Sequence, residues 1–194
     1  MPEPIRTFIA IELDDAIRRA LGKLQTRLQE ERAARYVRWS APEGIHLTLK
    51  FLGGVDADKM PALQSAISDA CKGIPPFELT LAGLGAFPNT RRPNVVWVGM
   101  RGDVDTAARL AAQIDAACAA LRFAREARPF SPHLTLGRVK RDVRPNDHQF
   151  VGEMVAAAQA DELGEMRVER VSVMKSDLRP TGSVYTQLFA VELG

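Results

Sequence analysis

The sequence predicts an α+β fold of two pseudo-symmetric lobes, each a mainly antiparallel sheet with helices outside, whose sheets face a central cleft. The tetrapeptide HLTL begins at His46 and again at His133, 87 residues later. The same offset aligns two apolar runs, FIAIEL (8–13) and VVWVGM (95–100). An amphipathic segment follows each run, which is typical of strands that alternate with helices in a repeated unit.

The elements of the first half follow from hydrophobic periodicity. Residues 8–13 predict a strand, and residues 14–33 predict a helix because acidic residues suited to a helix N-terminus open an amphipathic stretch. The HLTL strand comes next, and residues 57–72 then have apolar residues at helical spacing. The alternation in FELTL predicts a half-buried strand at 77–87, which we expect to close the first lobe.

The second half repeats this order around its own HLTL strand. It predicts a strand at 95–100, helices at 103–121 and 146–160, and closing strands at 166–178 and 183–193. The proline-rich stretch 87–94 is interpreted as a crossover or a loop at the edge of the cleft. No linker composition divides the halves, so we expect residues 1–194 to form a single two-lobed domain.

Composition limits the classes of function. The 46% hydrophobic and 26% charged residues are typical of a globular protein, and no apolar run is long enough to span a membrane. The N-terminal apolar run is too short and too acidic for a signal peptide, so we expect a cytoplasmic location, and nothing indicates obligate assembly beyond a monomer. Cys71 and Cys118 lie in alanine-rich, helix-like segments and are predicted to be buried, reduced thiols.

The HLTL strands carry the candidate chemistry. Side chains alternate along a strand, so His46, Thr48 and Lys50 are predicted to face the cleft while Phe51 and the leucines face the other way. A histidine can exchange a proton near neutral pH, and a threonine hydroxyl can donate to a phosphate oxygen. This strand is therefore predicted to bind one phosphate group and to take or give a proton beside it.

The second copy, with His133 and Thr135, completes a symmetrical site. In-line displacement at phosphorus places the attacking and leaving oxygens on opposite sides, so it needs a base on one side and an acid on the other. Two lobes related by a two-fold supply one histidine to each side. Two histidines alone make an incomplete zinc site, and we expect neither a metal nor a cofactor. His148, without a threonine partner, is interpreted as a solvated helix residue.

The contexts GIHLTLKFLG (44–53) and PFSPHLTLGRV (129–139) resemble the paired HxTx motifs of the two-histidine phosphoesterase superfamily. The opening RTFIAIEL and the segment GAFPNTRRPNVVWVG (85–99) are similar to its bacterial RNA 2′,3′-cyclic phosphodiesterase branch, also called 2′-5′ RNA ligase. The resemblance covers essentially the whole chain. It implies hydrolysis of RNA 2′,3′-cyclic phosphate ends to 2′-phosphates without metal, together with weak, reversible 2′-5′ joining of RNA ends.

The resemblance also implies roles for the motif residues. His46 would donate a proton to the leaving 3′ oxygen, His133 would accept a proton from water, and Thr48 and Thr135 would hold the phosphate. The residues themselves do not say which histidine is the acid. The expected partners are RNA ends or cyclic nucleotides, with tRNA fragments among them. Two alternatives stay open: a 2′-5′ phosphodiesterase or ligase acting on an internal linkage, and a non-catalytic module that binds RNA ends.

Further side chains are candidates for substrate contact. Arg138 lies at an odd offset from His133, so it reaches the cleft only if the strand bends or ends at Gly137. Arg92, beside the proline-rich loop, is a candidate for contact with phosphate or substrate. Three aromatic residues could stack on a base or pack in the core, namely Phe130, Tyr36 and Trp39.

Overall fold

A computed structural model of the chain describes residues 3–158, 160, 162–180 and 182–194, which form nine strands and four α-helices. The strands are β1 (Ile5–Glu12), β2 (Val37–Trp39), β3 (His46–Val55), β4 (Phe77–Phe87), β5 (Val95–Gly102), β6 (His133–Val139), β7 (Gly164–Val168), β8 (Arg170–Arg179) and β9 (Gly182–Glu192). The helices are α1 (Asp15–Gln29), α2 (Met60–Cys71), α3 (Val104–Ala120) and α4 (Pro145–Ala157). None of the helices described is both long and apolar enough to cross a membrane.

The strands form one antiparallel sheet in the order β7-β4-β5-β6-β3-β1-β8-β9, and β2 pairs with β6 beside β3. The halves β9-β8-β1-β3 and β6-β5-β4-β7 meet where Leu47 of β3 pairs with Leu134 of β6. These two leucines occupy the same position of the two HLTL copies, so the pseudo-two-fold passes between them. The predicted α+β class and two-lobed arrangement are confirmed, while the extent of the domain, 1–194, stays a prediction.

The closing strands of the two lobes are exchanged. The prediction that β4 closes the first lobe, and the C-terminal strands the second, is wrong. β4 pairs with β5 and β7 in the second half, whereas β8 pairs with β1 and β9 in the first. The alternation of side chains specifies that a segment is a strand but not which neighbour completes its hydrogen bonds. Each half of the repeat therefore completes the sheet of the other, which ties the lobes together.

The helices cover the side of the sheet away from the cleft. α1 contacts β7 and α4 contacts β4, whereas α2 contacts β9 and α3 contacts β3. Their apolar faces bury the leucines and isoleucines of the core. On α1 the buried Gln25 amide donates to the carbonyls of Ser40 and Leu136, at 2.8 and 3.0 Å. These bonds fix α1 against the end of the second HLTL strand, because a buried amide is costly to leave unpaired.

Lys50 lies on the helix side of β3, so the prediction that it faces the cleft is wrong. The register of β1 and β3 shifts between the pairs Ile9–Lys50 and Ala10–Thr48, which leaves Leu49 as an extra residue in a β-bulge. Lys50 and Phe51, which follow directly, therefore change face, up to a second register shift between the pairs Phe8–Phe51 and Thr7–Gly53. Lys50 is consequently buried, and Phe51, which was predicted to face the core, is 62% exposed and lines the cleft.

Lys50 is neutralised by α3 and the segment that follows it. Its Nζ atom donates to Asp115 Oδ1 at 2.6 Å and to the carbonyl of Ala124 at 2.7 Å. Burial raises the pKa of Asp115, but the hydrogen bonds from Lys50 and the Glu126 amide, with the charges of Lys50 and Arg125, outweigh it and lower that pKa overall. Asp115 therefore stabilises the fold above the usual carboxyl pKa, and this contribution is lost as the pH falls below it.

Removing one partner of this buried pair should destabilise the fold strongly. We expect Asp115→Ala to lower the free energy of unfolding by about 3–5 kcal/mol, because it leaves the fully buried Lys50 ammonium without a counter-charge. Lys50→Met, which fills the same volume without charge, should cost much less. Urea denaturation of both variants at neutral pH measures the difference, and a loss below about 0.5 kcal/mol for Asp115→Ala would contradict this account.

Candidate active site

The concave side of the sheet forms a cleft of about 420 Å³ that both halves line. The four predicted motif residues meet there, His46 and Thr48 from β3 and His133 and Thr135 from β6. Arg6 and Arg138 also line the cleft, and none of its described lining residues is an Asp or a Glu. The cleft is therefore locally positive although the net charge of the chain is only +2, which favours an anionic ligand.

Both catalytic candidates are held by the same backbone contact. The Nδ1 atom of His46 lies 2.9 Å from the carbonyl oxygen of Gly44, and that of His133 lies 2.7 Å from the carbonyl oxygen of Ser131. A carbonyl oxygen only accepts, so Nδ1 carries the donated proton in both rings. In each ring the Nε2 atom is consequently the nitrogen that is available to exchange a proton with a ligand in the cleft.

Aromatic rings fix the orientation of His46. Phe8 stacks on its imidazole with ring centroids 4.6 Å apart, and Tyr185 approaches edge-on at 5.1 Å. Burial lowers the pKa of His46, and the Gly44 carbonyl and the Glu12 carboxylate oppose this shift only in part. The ring is thus rigid and loses its proton more readily than an exposed histidine does.

The surroundings of His133 are different. Phe87 of β4 meets its ring edge-on with centroids 4.8 Å apart, and Trp97 of β5 lies at 6.4 Å. The Trp97 ring covers Gly85, where a Cβ atom would collide with the indole. Glycine at position 85 is therefore what lets the indole lie flat on the sheet beside His133.

Arg138 reaches the cleft because β6 carries the same bulge as β3. The register of β5 and β6 shifts between the pairs Val96–Gly137 and Trp97–Thr135, which leaves Leu136 as the extra residue. Leu136 follows His133 by three positions, as Leu49 follows His46. The strand therefore bends before Arg138, which is the condition under which Arg138 was expected to reach the cleft. The counterpart of Arg138 in the first lobe is Phe51.

The remaining candidates lie elsewhere, and none of them is among the described residues that line the cleft. Arg92 is exposed in the β4–β5 loop, and Phe130 packs against the core. Their assignment as substrate contacts stays a prediction. Tyr36 donates its hydroxyl hydrogen to Asp147 on the helix side, and Trp39 Nε1 donates to the carbonyl of Ala34, so both take the packing alternative.

Glu12 is a neighbour of His46 that the sequence analysis missed. Glu12 and His46 are register partners in β1 and β3, so their side chains share a face. The Glu12 Oε2 atom accepts hydrogen bonds from Ser172 Oγ at 2.7 Å and Gln187 Nε2 at 2.8 Å. The register partner of His133 is Gly99, the residue aligned with Glu12 by the 87-residue offset. The difference between Glu12 and Gly99 at aligned positions of the repeat was the sequence signal that could have identified Glu12 as a candidate.

The third histidine has a structural role. His148 of α4 is half-buried, and its Nδ1 atom lies 3.0 Å from the carbonyl oxygen of Pro93, to which it donates. The interpretation of His148 as a merely solvated residue is therefore wrong. The reason is that α4 packs beside the β4–β5 loop, a contact between segments far apart in sequence.

The two cysteines are not activated thiols. Cys71 and Cys118 are free and buried, and burial raises the pKa of each thiol to about 11. Both therefore stay protonated at neutral pH. Across the part of the chain that the structure describes, no group of three or more His, Cys, Asp or Glu side chains could hold a metal ion.

Comparison with known proteins places this geometry in a family. The model of LigT-like phosphoesterases matches the chain twice, over residues 11–97 and 98–185, which reproduces the 87-residue repeat. An RNA 2′,3′-cyclic phosphodiesterase of Methanothermobacter thermautotrophicus is 35% identical over 184 residues, covering 95% of this chain and 96% of that protein.

Solved structures agree. A Thermus thermophilus protein has a TM-score of 0.78 at 29% identity, covering 97% of this chain and 98% of its own. Escherichia coli LigT complexed with 3′-AMP has a TM-score of 0.78 at 28% identity, covering 98% of this chain and 99% of its own. With twin HxTx strands meeting across one cleft and both halves matched by the family model, the chain belongs to the family of LigT-like phosphoesterases.

Proposed function

We propose that this protein hydrolyses 2′,3′-cyclic phosphates at RNA ends to 2′-phosphates by acid–base catalysis between His46 and His133. One observation carries the proposal: two histidines from opposite lobes line one locally positive cleft. Each of them donates a hydrogen bond from Nδ1 to a backbone carbonyl. Membership of the family and the activity named for its curated relatives support the same reaction. Reversible 2′-5′ joining of RNA ends would use the same groups.

The proposed reaction is one in-line displacement at phosphorus. His133 Nε2 removes a proton from water as the water oxygen bonds to phosphorus, while the bond from phosphorus to the 3′ oxygen breaks. Protonated His46 gives its Nε2 proton to that oxygen, which leaves a 3′ hydroxyl and a 2′-phosphate. Thr48, Thr135 and Arg138 hold the non-bridging oxygens and stabilise their growing charge. In ligation, the 5′ hydroxyl of a second RNA takes the place of water.

Glu12 supports the assignment of His46 as the acid. Burial favours the neutral form of His46, whereas the Glu12 carboxylate and the Gly44 carbonyl favour the protonated form that an acid needs. Ser172 and Gln187 hold Glu12 on the same face of the sheet as His46. The partner of His133 at this position is Gly99, which offers no charge. We therefore propose Glu12 as a positioning residue that opposes the effect of burial and favours the protonated form of His46.

The substrates and the cellular compartment are also proposals. We expect RNA ends or free cyclic nucleotides as substrates, with tRNA fragments among them. Two free, buried cysteines fit a reducing compartment such as the cytoplasm. The monomeric state stays a prediction. An internal 2′-5′ linkage as substrate, and binding without turnover, remain the alternatives that the following assay separates.

Loss of either histidine should abolish turnover. We expect the wild type to open a nucleoside 2′,3′-cyclic phosphate in the presence of EDTA, and His46→Ala or His133→Ala to lower kcat by about 10²–10⁴-fold, because each removes one proton transfer. Chromatography of the products should give the 2′-phosphate. His148→Ala, at the one histidine that is not among the cleft-lining residues, is the matched control. Activity that requires added metal, or that survives either substitution, would sink the proposal, and binding without turnover would favour the recognition module.

The pH dependence of Glu12→Gln assigns the two proton-transfer roles. Removing the carboxylate should lower the pKa of His46 further. If His46 is the acid, kcat/KM falls by about two- to fivefold on the alkaline side of the optimum and is unchanged on the acidic side. If His46 is the base, kcat/KM instead rises on the acidic side. Full pH profiles of the wild type, Glu12→Gln and the exposed control Glu192→Gln distinguish these results.

A further inference from the structure

A second arginine lies directly beside Arg138. The short strand β2 pairs with β6 so that Arg38 and Arg138 are register partners. This pairing depends on Gly137, where a Cβ atom would lie 2.6 Å from Val37 Cγ1 and 3.0 Å from the Arg38 carbonyl oxygen. A larger residue at position 137 would force β2 away. The sequence of β6 thus allows β2 to place Arg38 next to the cleft.

Arg38 faces the same side of the sheet as Arg138. Register partners in an antiparallel pair share a face, with Cβ atoms about 5 Å apart. Arg138 lines the cleft, and Val37, the preceding residue of β2, is buried in the core on the opposite face. Arg38 is exposed and is not among the cleft-lining residues. It therefore lies at the rim, one strand beyond Arg138.

The two arginines place like charges on adjacent strands. Like charges directly opposite each other destabilise a sheet. Within the described parts of the chain, no salt bridge or side-chain hydrogen bond joins Arg38 or Arg138 to a carboxylate. A planar guanidinium with free donors binds phosphate oxygens in pairs. Two such groups side by side, one in the cleft and one at its rim, suit a ligand with two successive phosphates.

We propose that Arg38 binds the phosphodiester on the 5′ side of the terminal nucleoside, while Arg138 holds the cyclic phosphate. The inference rests on the proposed function and deepens it by naming the substrate class. A mononucleoside cyclic phosphate has no second phosphate and leaves Arg38 unused. An RNA strand uses both arginines, so the enzyme prefers an RNA end to a free cyclic nucleotide.

The test compares three substrates that differ by one charge or one nucleotide. They are adenosine 2′,3′-cyclic phosphate, the dinucleotide adenylyl-adenosine ending in the cyclic phosphate, and that dinucleotide with a neutral methylphosphonate linkage. For the wild type, we expect kcat/KM to be highest for the charged dinucleotide. Arg38→Ala should lower the ratio of kcat/KM for the charged dinucleotide to that for the mononucleotide by about five- to tenfold, because one charged contact is lost.

Combining the Arg38→Ala variant with the methylphosphonate substrate isolates the contact between Arg38 and the phosphodiester. Arg38→Ala and the methylphosphonate remove the same interaction, so their effects should not add. Arg38→Lys keeps the charge without the planar guanidinium, so it should lower the ratio of kcat/KM values less than Arg38→Ala does. It provides a second variant if Arg38→Ala folds poorly. Arg109→Ala, on the exposed face of α3, controls for net charge and should leave all three rates unchanged.

Two results would overturn the inference alone. They are an unchanged ratio in Arg38→Ala, and an equal loss with the charged and the neutral dinucleotide. A wild type that opens none of the three substrates would overturn the proposed function as well, so the two failures are distinguishable. As an independent readout, kcat/KM for the charged dinucleotide should fall less steeply with salt in Arg38→Ala, its logarithmic slope changing by about 0.7 for one phosphate contact.

Discussion

The hydrogen-bonded meeting of two copies of one tetrapeptide determines most of this molecule. Leu47 and Leu134 pair where the two half-sheets join, and their side chains enter the shared core from the same position of each repeat. Because side chains alternate, burying these leucines turns the histidine and threonine of both strands toward the cleft. The exchange of closing strands then holds the lobes at a fixed distance. One histidine and one threonine from each half therefore line the same cleft.

The same β-bulge in each HLTL strand adds chemistry to this symmetrical frame. It brings the fifth residue after each histidine into the cleft, and these residues differ, Phe51 in one lobe and Arg138 in the other. The bulge also turns Lys50 into the core, where Asp115 neutralises it. Glu12 is the register partner of His46, whereas Gly99 is the register partner of His133, so the two histidines have unequal surroundings. In the proposed reaction, this asymmetry favours one assignment of acid and base to the two histidines over the other.

The sequence predicted the parts of this arrangement that depend on local pattern and on repetition. The 87-residue offset, the helices and the inward-facing His46, Thr48, His133 and Thr135 follow from periodicity and from the identity of the two motifs. The bulges, the strand exchange and the position of β2 were not predictable in this way. Each depends on which backbone groups find partners in a distant segment, and hydrophobic alternation carries no information about register beyond the face that is buried. The positions of Lys50, Phe51 and His148 were wrong for this reason.

The central claim is that one phosphate passes through a single in-line displacement, with one proton-transfer group on each side. Its most direct test is the stereochemical course at phosphorus. A single diastereomer of a nucleoside 2′,3′-cyclic phosphorothioate is opened in water enriched in ¹⁸O, and the configuration of the chiral product is determined. The account predicts inversion, since water attacks opposite the leaving 3′ oxygen in one step. Retention would mean two successive displacements through a covalent phosphohistidine, and would contradict the pairing of His46 and His133 as acid and base.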